Sequence, residues 1–422
     1  MKPLLRPAGR ALRRLSLVAG LGAGLLLSGC IDSNSECIED QPGYEEGKDV
    51  WLSVNFRNVD SEGRSRADDF SGHPEEASTA AENYINTSDI SLMLLDNNGR
   101  LLKVFNPGDF SVSAFQPDDN GYRDYELTMH VNQDYFAYAG TQVDFRLMVV
   151  ANMKGTSDAA PGVFSDNLFM KTVPEIASQH LGYAYSGDLA TNTPWTPVIA
   201  ESRHIPMAGI RSFSVSRSDL EKANSKDNQL YLTSKPGTSG ATDAIEMQRA
   251  MAKIRVIDAF KSAADNVDGE YIASVKLKGV SSRGSFVPDD AAWANGTCVL
   301  EKATWLTSWY QQENSISLTA PEEYTDTQTN TLRTRMIGYM PECGIEVFNE
   351  TQSPTLEIVV GNAAGATRNY SVKLSDLKEP GVTAFARNHI YQFIVEKNFQ
   401  ADITIAYTVC EWNSADADID FN

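Results

Sequence analysis

In segment after segment of this chain, apolar and polar side chains alternate with a period of two. An extended strand lying half-buried on a sheet is what turns that period into one dry face and one wet face. The first such run is Val50 to Arg57, where Val50, Leu52, Val54 and Phe56 alternate with Ser53, Asn55 and Arg57. Ile90 to Leu95 and Arg100 to Phe105 follow as a pair joined by Asp96-Asn97-Asn98-Gly99, whose Asn and Gly tolerate the positive φ of a tight hairpin turn. Tyr125, Leu127, Met129 and Val131 alternate next, then Val143, Phe145, Leu147 and Val149. The later part repeats the habit: Ala252, Ile254 and Val256 against Lys253 and Arg255, and Ala273, Val275 and Leu277 against Ser274, Lys276 and Lys278. Leu356, Ile358 and Val360, then Tyr370, Val372 and Leu374, then His389, Tyr391, Phe393 and Val395, and last Ile403, Ile405, Tyr407 and Val409 complete the series. The pattern predicts an all-β protein.

At 422 residues the chain suits two domains rather than one core, at about 100–200 residues per domain. Its 42% apolar and 22% charged content is that of a chain that folds. Strand, connection, strand and turn recur after Ala244 as they did after Val50, which predicts two copies of one β-sandwich architecture, each hiding the inner faces of two sheets. The expected organisation is a leader over 1–29, a tether with the first strand over 30–66, sandwiches over 67–235 and 236–400, and a terminal strand over 401–422. Ile31 to Asp49 is polar and acidic and reads as a tether, and Asn58 to Asp69 as a polar linker holding Arg64-Ser65-Arg66-Ala67. Gly155 to Glu201 reads as an elaborated loop region with one short helix near Pro174 to His180. Residues 224 to 243, rich in Ser, Thr, Lys, Gly and Asp, read as the crossing between domains.

The N-terminus carries an address. Lys2, Arg6, Arg10, Arg13 and Arg14 precede an apolar run from Leu15 to Leu27, which is shorter than the ~20 residues of a spanning helix and ends in small residues, as an export signal does. Leu27-Ser28-Gly29-Cys30 matches a bacterial lipobox, so cleavage is expected between Gly29 and Cys30, with Cys30 lipidated and the precursor tethered to the outer membrane. Two or three acyl chains hold a protein stably where one does not. With the leader's five basic residues gone, 31 basic face 56 acidic residues, so the exported charge moves from -20 to -25. Such a chain repels phosphate backbones, which excludes nucleic acid as a partner. Cys37, Cys298, Cys343 and Cys410 would sit in an oxidising compartment, with no pairing readable from their spacing.

No Gly-x-Ser-x-Gly elbow, His-Glu-x-x-His helix, P-loop or dinucleotide glycine fingerprint occurs. Five His and five Cys leave little material for metal cages or His-based catalysis. Asp416, Asp418 and Asp420 have calcium-loop spacing, but neither the glycine nor the distal Glu of an EF-hand follows them, and they read as a solvated acidic end. His389 reads as a hydrogen-bonded structural residue. In a lipobox-bearing chain, Asn86, Asn295, Asn349 and Asn369 carry no weight as glycosylation triplets. The expectation is no catalytic residue, no metal, no cofactor and no enzyme.

The lipobox ending at Cys30, the strand Val50 to Arg57 followed by Arg66-Ala67, Ile205-Pro206-Met207, the segment Arg249-Ala250-Met251-Ala252-Lys253-Ile254-Arg255-Val256, and Arg387-Asn388-His389-Ile390-Tyr391 together resemble the FimA-type fimbrillins, lipoprotein-derived pilins of Bacteroidales. The resemblance spans nearly the whole chain. It implies two transthyretin-like β-sandwich domains and export as a surface lipoprotein. It also implies removal of the first strand by a trypsin-like protease after an Arg, and polymerisation with other fimbrial subunits by strand exchange. Carried onto this sequence, the cut falls between Arg66 and Ala67, with Arg64-Ser65 as second choice. The leader strand is Val50, Leu52, Val54 and Phe56, and the donor strand is Ile403, Ile405, Tyr407 and Val409. Cys37, soon after the lipobox, is similar to the related anchor subunits, whereas the full strand at Ile403 to Val409 followed by Trp412 suits a polymerising subunit, stalk or tip. The alternative is a monomeric surface lipoprotein binding glycan or host protein through aromatics in Tyr183 to Trp195 and Trp293 to Tyr310.

Overall fold

The computed structural model describes residues 48–58, 79–105, 108–115, 124–136, 140–153, 169–172, 175, 182–184, 193–234, 243–260, 269–286, 310–326, 331–342, 353–376, 385, 387–397 and 403–411. Gly29, Cys30, Arg66, Ala67, most of the expected helix near Pro174 to His180, and the acidic end therefore lie outside the described residues. The protein is all-β. Among the described residues ten strands precede Ala250: β1 (Asp49–Asn58), β2 (Ile90–Asp96), β3 (Leu101–Phe105), β4 (Phe110–Ala114), β5 (Tyr125–Asn132), β6 (Gln142–Ala151), β7 (Gly182–Ala184), β8 (Met207–Ser216), β9 (Leu230–Tyr231) and β10 (Ile245–Arg249). Ten follow it: β11 (Met251–Asp258), β12 (Tyr271–Ser281), β13 (Arg283–Ser285), β14 (Tyr310–Ser317), β15 (Glu322–Asp326), β16 (Thr331–Pro341), β17 (Thr355–Gly361), β18 (Thr367–Lys373), β19 (His389–Lys397) and β20 (Ile403–Glu411).

The hairpin expected at Asp96-Asn97-Asn98-Gly99 is present. Gly99 sits at φ 77°, and the Asp96 carboxylate accepts the N–H groups of Asn98 and Arg100, both at 2.8 Å. The first nine-stranded sheet runs β3-β2-β6-β8-β10-β1-β5-β4, with β9 also on β1. β10 changes partner along its length: Ile245 to Met247 run parallel to Phe56 to Asn58 of β1, while Gln248 and Arg249 pair with Ala208 and Met207 of β8. Both arms of the sheet thus share β10 and feed one apolar core, which holds Leu52, Phe56, Leu94, Leu127, Phe145 and Met207. The strands approach so closely here that a Cβ on Gly209 would lie 2.4 Å from the Glu246 carbonyl oxygen.

The second core lies between a five-stranded sheet, β15-β16-β11-β19-β20, and a four-stranded sheet, β14-β12-β17-β18. Ile254, Met336, Tyr391 and Phe393 enter it from the first of these and Ile272, Leu277, Leu356 and Ile358 from the second. The chain passes from one core to the other at Ala250, whose N–H donates to the Pro206 carbonyl at 2.7 Å. Ala244 to Phe260, alike in pattern, thus divides between two sheets. Leu374, expected to end a strand, begins a short 3-10 turn instead. A short α-helix, α1 (Arg217–Lys222), is capped by Ser216, whose side chain accepts the Asp219 N–H. No helix among the described residues is long and apolar enough to cross a membrane.

Candidate functional site

β1 lies in the interior of the first sheet. On one side it runs antiparallel to β5 in unbroken register from Asp49↔Asn132 to Phe56↔Tyr125, and the Gln133 N–H extends the ladder to the Lys48 carbonyl at 2.7 Å. Val50, Leu52, Val54 and Phe56 are all buried in the first core, and the Phe56 ring stacks on Tyr125 with centroids 4.9 Å apart. At ~1.5–3 kcal/mol for each fully buried apolar side chain, these four supply roughly 6–12 kcal/mol.

The other side of β1 is held in pieces, by β10 in parallel at Phe56 to Asn58 and by a second segment before it. β9 contributes a short parallel pairing, Leu52↔Leu230 and Ser53↔Tyr231. Around it the Trp51 N–H donates to the Ala223 carbonyl at 2.7 Å and the Leu232 N–H to the Ser53 carbonyl at 2.8 Å. The Asn55 N–H finds the Thr233 hydroxyl at 2.8 Å, and the Asn55 side-chain amide donates to the Ser234 carbonyl. This segment, Ala223 to Ser234, makes the face of β1 that sequence reads as wet a dry one: Ser53 is 1% exposed and Asn55 5%. Ser53 satisfies its hydroxyl by donating to the Glu126 carboxylate at 2.7 Å.

β20 is the outermost strand of its sheet. It pairs with β19 alone among the described residues, in register from Lys397↔Ile403 to His389↔Glu411. Ile403, Ile405 and Tyr407 are half-buried against the second core, and Tyr407 stacks on Phe393 with centroids 4.9 Å apart. Burial pushes the Tyr407 phenol far above its ordinary pKa. The side chain of Val409 lies outside those described, although its backbone pairs with Tyr391. The expected leader and donor strands therefore occupy different sheets and different cores in the single chain.

A buried polar cluster sits where the two cores meet. Lys253 Nζ lies 2.8 Å from Glu82 Oε1, with both side chains almost wholly enclosed, and the Tyr339 hydroxyl donates to the same oxygen. The Thr79 N–H donates to Glu82 Oε2 at 2.7 Å. Arg249 donates to the Glu82 carbonyl at 3.2 Å, to Asn388 Oδ1 at 2.9 Å and to Asn83 Oδ1. Asn58, at the end of β1, donates to the Asn83 carbonyl. Burial alone would raise the Glu82 pKa, but the charge of Lys253 and the hydrogen bonds from Lys253, Tyr339 and Thr79 outweigh it and hold the carboxyl below its ordinary range. Nearby, Asn152 at φ 65° donates to the carbonyls of Tyr84 and Ile205, each at 2.8 Å. Ile205 to Met207, Arg249 to Val256 and Arg387 to Tyr391 converge here, since Asn388 N–H also donates to the Met251 carbonyl at 2.9 Å and β11 runs parallel to β19. His389 contacts the Arg387 carbonyl through Nδ1 at 2.6 Å, a structural use of the ring.

Sequence reasoning missed Glu82, although Thr79-Ala80-Ala81-Glu82 has the Thr-x-x-Glu form of a capping box and the reciprocal bond from the Glu82 N–H to the Thr79 hydroxyl is present at 3.3 Å. It also missed the role of Thr233 and Ser234, for which no periodic signal exists. Among the described residues, no group of three or more His, Cys, Asp or Glu is placed to hold a metal ion.

No protein-family model and no curated protein matches the sequence. Among solved structures, the chain is similar to the tip fimbrial protein Mfa3 from Porphyromonas gingivalis with a C-terminal truncation, at 14% identity and TM-score 0.46, over 86% of this chain and 100% of that one. It is also similar to a candidate cell adhesion protein from Parabacteroides distasonis, at 11% identity and TM-score 0.45, over 86% and 98% of the two chains. A third, a candidate cell adhesion protein from Bacteroides eggerthii, has 14% identity and TM-score 0.42 over 87% and 97%.

Proposed function

We propose that the chain is a structural subunit of a surface fimbria. It is exported as a lipoprotein on Cys30, cut after Arg66, and joined to its neighbours when β20 of one copy takes the place that β1 of the next has left. The two cores are its two domains. A single observation carries this reading: β1 is an interior strand whose four apolar side chains fill the first core, while β20, with the same period of apolar residues, lies at a sheet edge with Ile403, Ile405 and Tyr407 half-buried. Loss of β1 would expose a row of unpaired backbone groups beside an apolar groove, the kind of vacancy that a strand from another chain fills. β20 leaves its own sheet at smaller cost than β1 leaves its own.

N-terminal sequencing of protein recovered from the cell surface tests the processing. Assembled material is expected to begin at Ala67, and a blocked Cys30 in all assembled material would tell against it. Replacing Cys30 by Ala should abolish labelling by a fatty-acid analogue; persistent labelling would remove the lipid anchor from the account.

A further inference from the structure

We propose that the segment Ala223–Ser234 is a strap that opens to release β1, and that Asn55 is the residue by which the strap holds the strand closed; this rests on the reading of β1 as a removable strand. The two flanks of β1 are held unequally. Toward β5 the ladder is continuous over eight residue pairs, Asp49↔Asn132 to Phe56↔Tyr125. On the opposite flank β10 holds Phe56 to Asn58 in parallel, and the strap holds the rest, its pairing confined to Leu52 and Ser53 and flanked by single bonds at Trp51 and Leu232. At Asn55 the strap offers no backbone carbonyl to the N–H, and the Thr233 hydroxyl accepts it instead, while the Asn55 side chain reaches the Ser234 carbonyl. A strand whose amide is satisfied by a side chain depends on the identity of that side chain, which a regular ladder does not.

The strap is anchored at both ends, and in its middle Leu230 and Leu232 pack against the first core. Ser216 caps α1, Leu220 and Ala223 are buried beneath it, and Lys222 pairs with Asp219 at 3.1 Å. At the far end, Ser234 donates through its N–H and its hydroxyl to Asp243 Oδ2, at 2.7 and 3.0 Å. Besides the β9 pairing, the strap grips β1 through side chains at Asn55, which bonds to Thr233 and Ser234. Local openings follow the route that breaks the fewest buried bonds, so the stretch from Trp51 to Asn55 is freed from the strap before it is freed from β5.

Hydrogen exchange on the full, uncleaved chain tests this. Asn55→Ala and Thr233→Val each remove one side-chain bond between strap and strand. At the usual net worth of a hydrogen bond, each is expected to speed exchange in the segments 48–58 and 223–234 about fivefold. Thr233→Ser keeps the hydroxyl and is expected to exchange as the parent does. Ser53→Ala, which removes a bond on the β5 flank, is expected to leave 223–234 unchanged. Segment 389–411 in the second core reports global loosening and is expected not to move. Unchanged exchange in 223–234 for both Asn55→Ala and Thr233→Val would overturn the proposal, and so would acceleration spread equally into 389–411. The measurement needs neither cleavage nor assembly, so a failed strap and a failed fimbrial reading give separate results.

Discussion

Glu82 reaches no solvent, and its charge depends on Lys253, Tyr339 and the Thr79 N–H. Removing its charge leaves the Lys253 ammonium buried beside a neutral group, so Glu82→Gln is expected to cost about 3–5 kcal/mol, read as a fall in the urea midpoint. The pH dependence has a definite sign. A carboxyl whose folded pKa is depressed contributes stability that is complete above its unfolded pKa, about 4.3, and is lost as the pH falls through the folded value. The gap between the parent chain and Glu82→Gln should therefore be flat from about pH 6 to 8 and narrow below about pH 4. A gap that widens on acidification would contradict the assignment of charge. Lys253 and Arg255 show why this cluster was illegible in the sequence: alternation marks them as the wet face of β11, yet they are 3% and 1% exposed, because the other half of the molecule covers that face. Periodicity reports that a strand has two faces; it cannot report that a distant segment dries the second.

The strands themselves were legible, and their ranks within the sheets were not. Val50 to Phe56 and Ile403 to Val409 carry the same pattern, yet β1 is interior and β20 is an edge, a difference set by the topology of strands far apart in sequence. Deleting 401–422 removes half-buried Ile403, Ile405 and Tyr407, a loss of roughly 2–5 kcal/mol at about half the full burial value. The truncated chain is expected to remain a folded monomer, with a lower thermal midpoint and no assembly after cleavage. Loss of folding would assign the strand to its own core, and normal polymers without it would end its donor role. Removing β1 costs roughly 6–12 kcal/mol, comparable to the whole stability of a domain at about 5–15 kcal/mol. A chain beginning at Ala67 is accordingly expected to lose cooperative unfolding of its first core and to regain it when a synthetic peptide of residues 48–58 is added, by calorimetry. Where β8 lies beside β10, Gly209→Ala is expected to destabilise by about 3 kcal/mol, since the added methyl meets the Glu246 carbonyl, part of the β10 backbone, at 2.4 Å.

At the scale of the molecule, β1 belongs to one core and β20 to the other, and the cluster of Glu82, Lys253, Arg249 and Asn388 ties the two together. A subunit that receives at one core and gives from the other makes unlike contacts with its two neighbours, and such contacts propagate into a filament unless the rotation closes a ring. If the chain is exported and exchanges strands as proposed, its charge of -25 would keep precursors apart until then. The most direct measurement places a photo-crosslinking benzoylphenylalanine at Tyr407, cleaves the subunits at Arg66 and maps the adducts in assembled material by mass spectrometry. The expected adduct joins position 407 of one copy to β5, Tyr125–Asn132, of another, next to the place that β1 occupied. Adducts confined to β19 and the second core of the same chain would contradict the account.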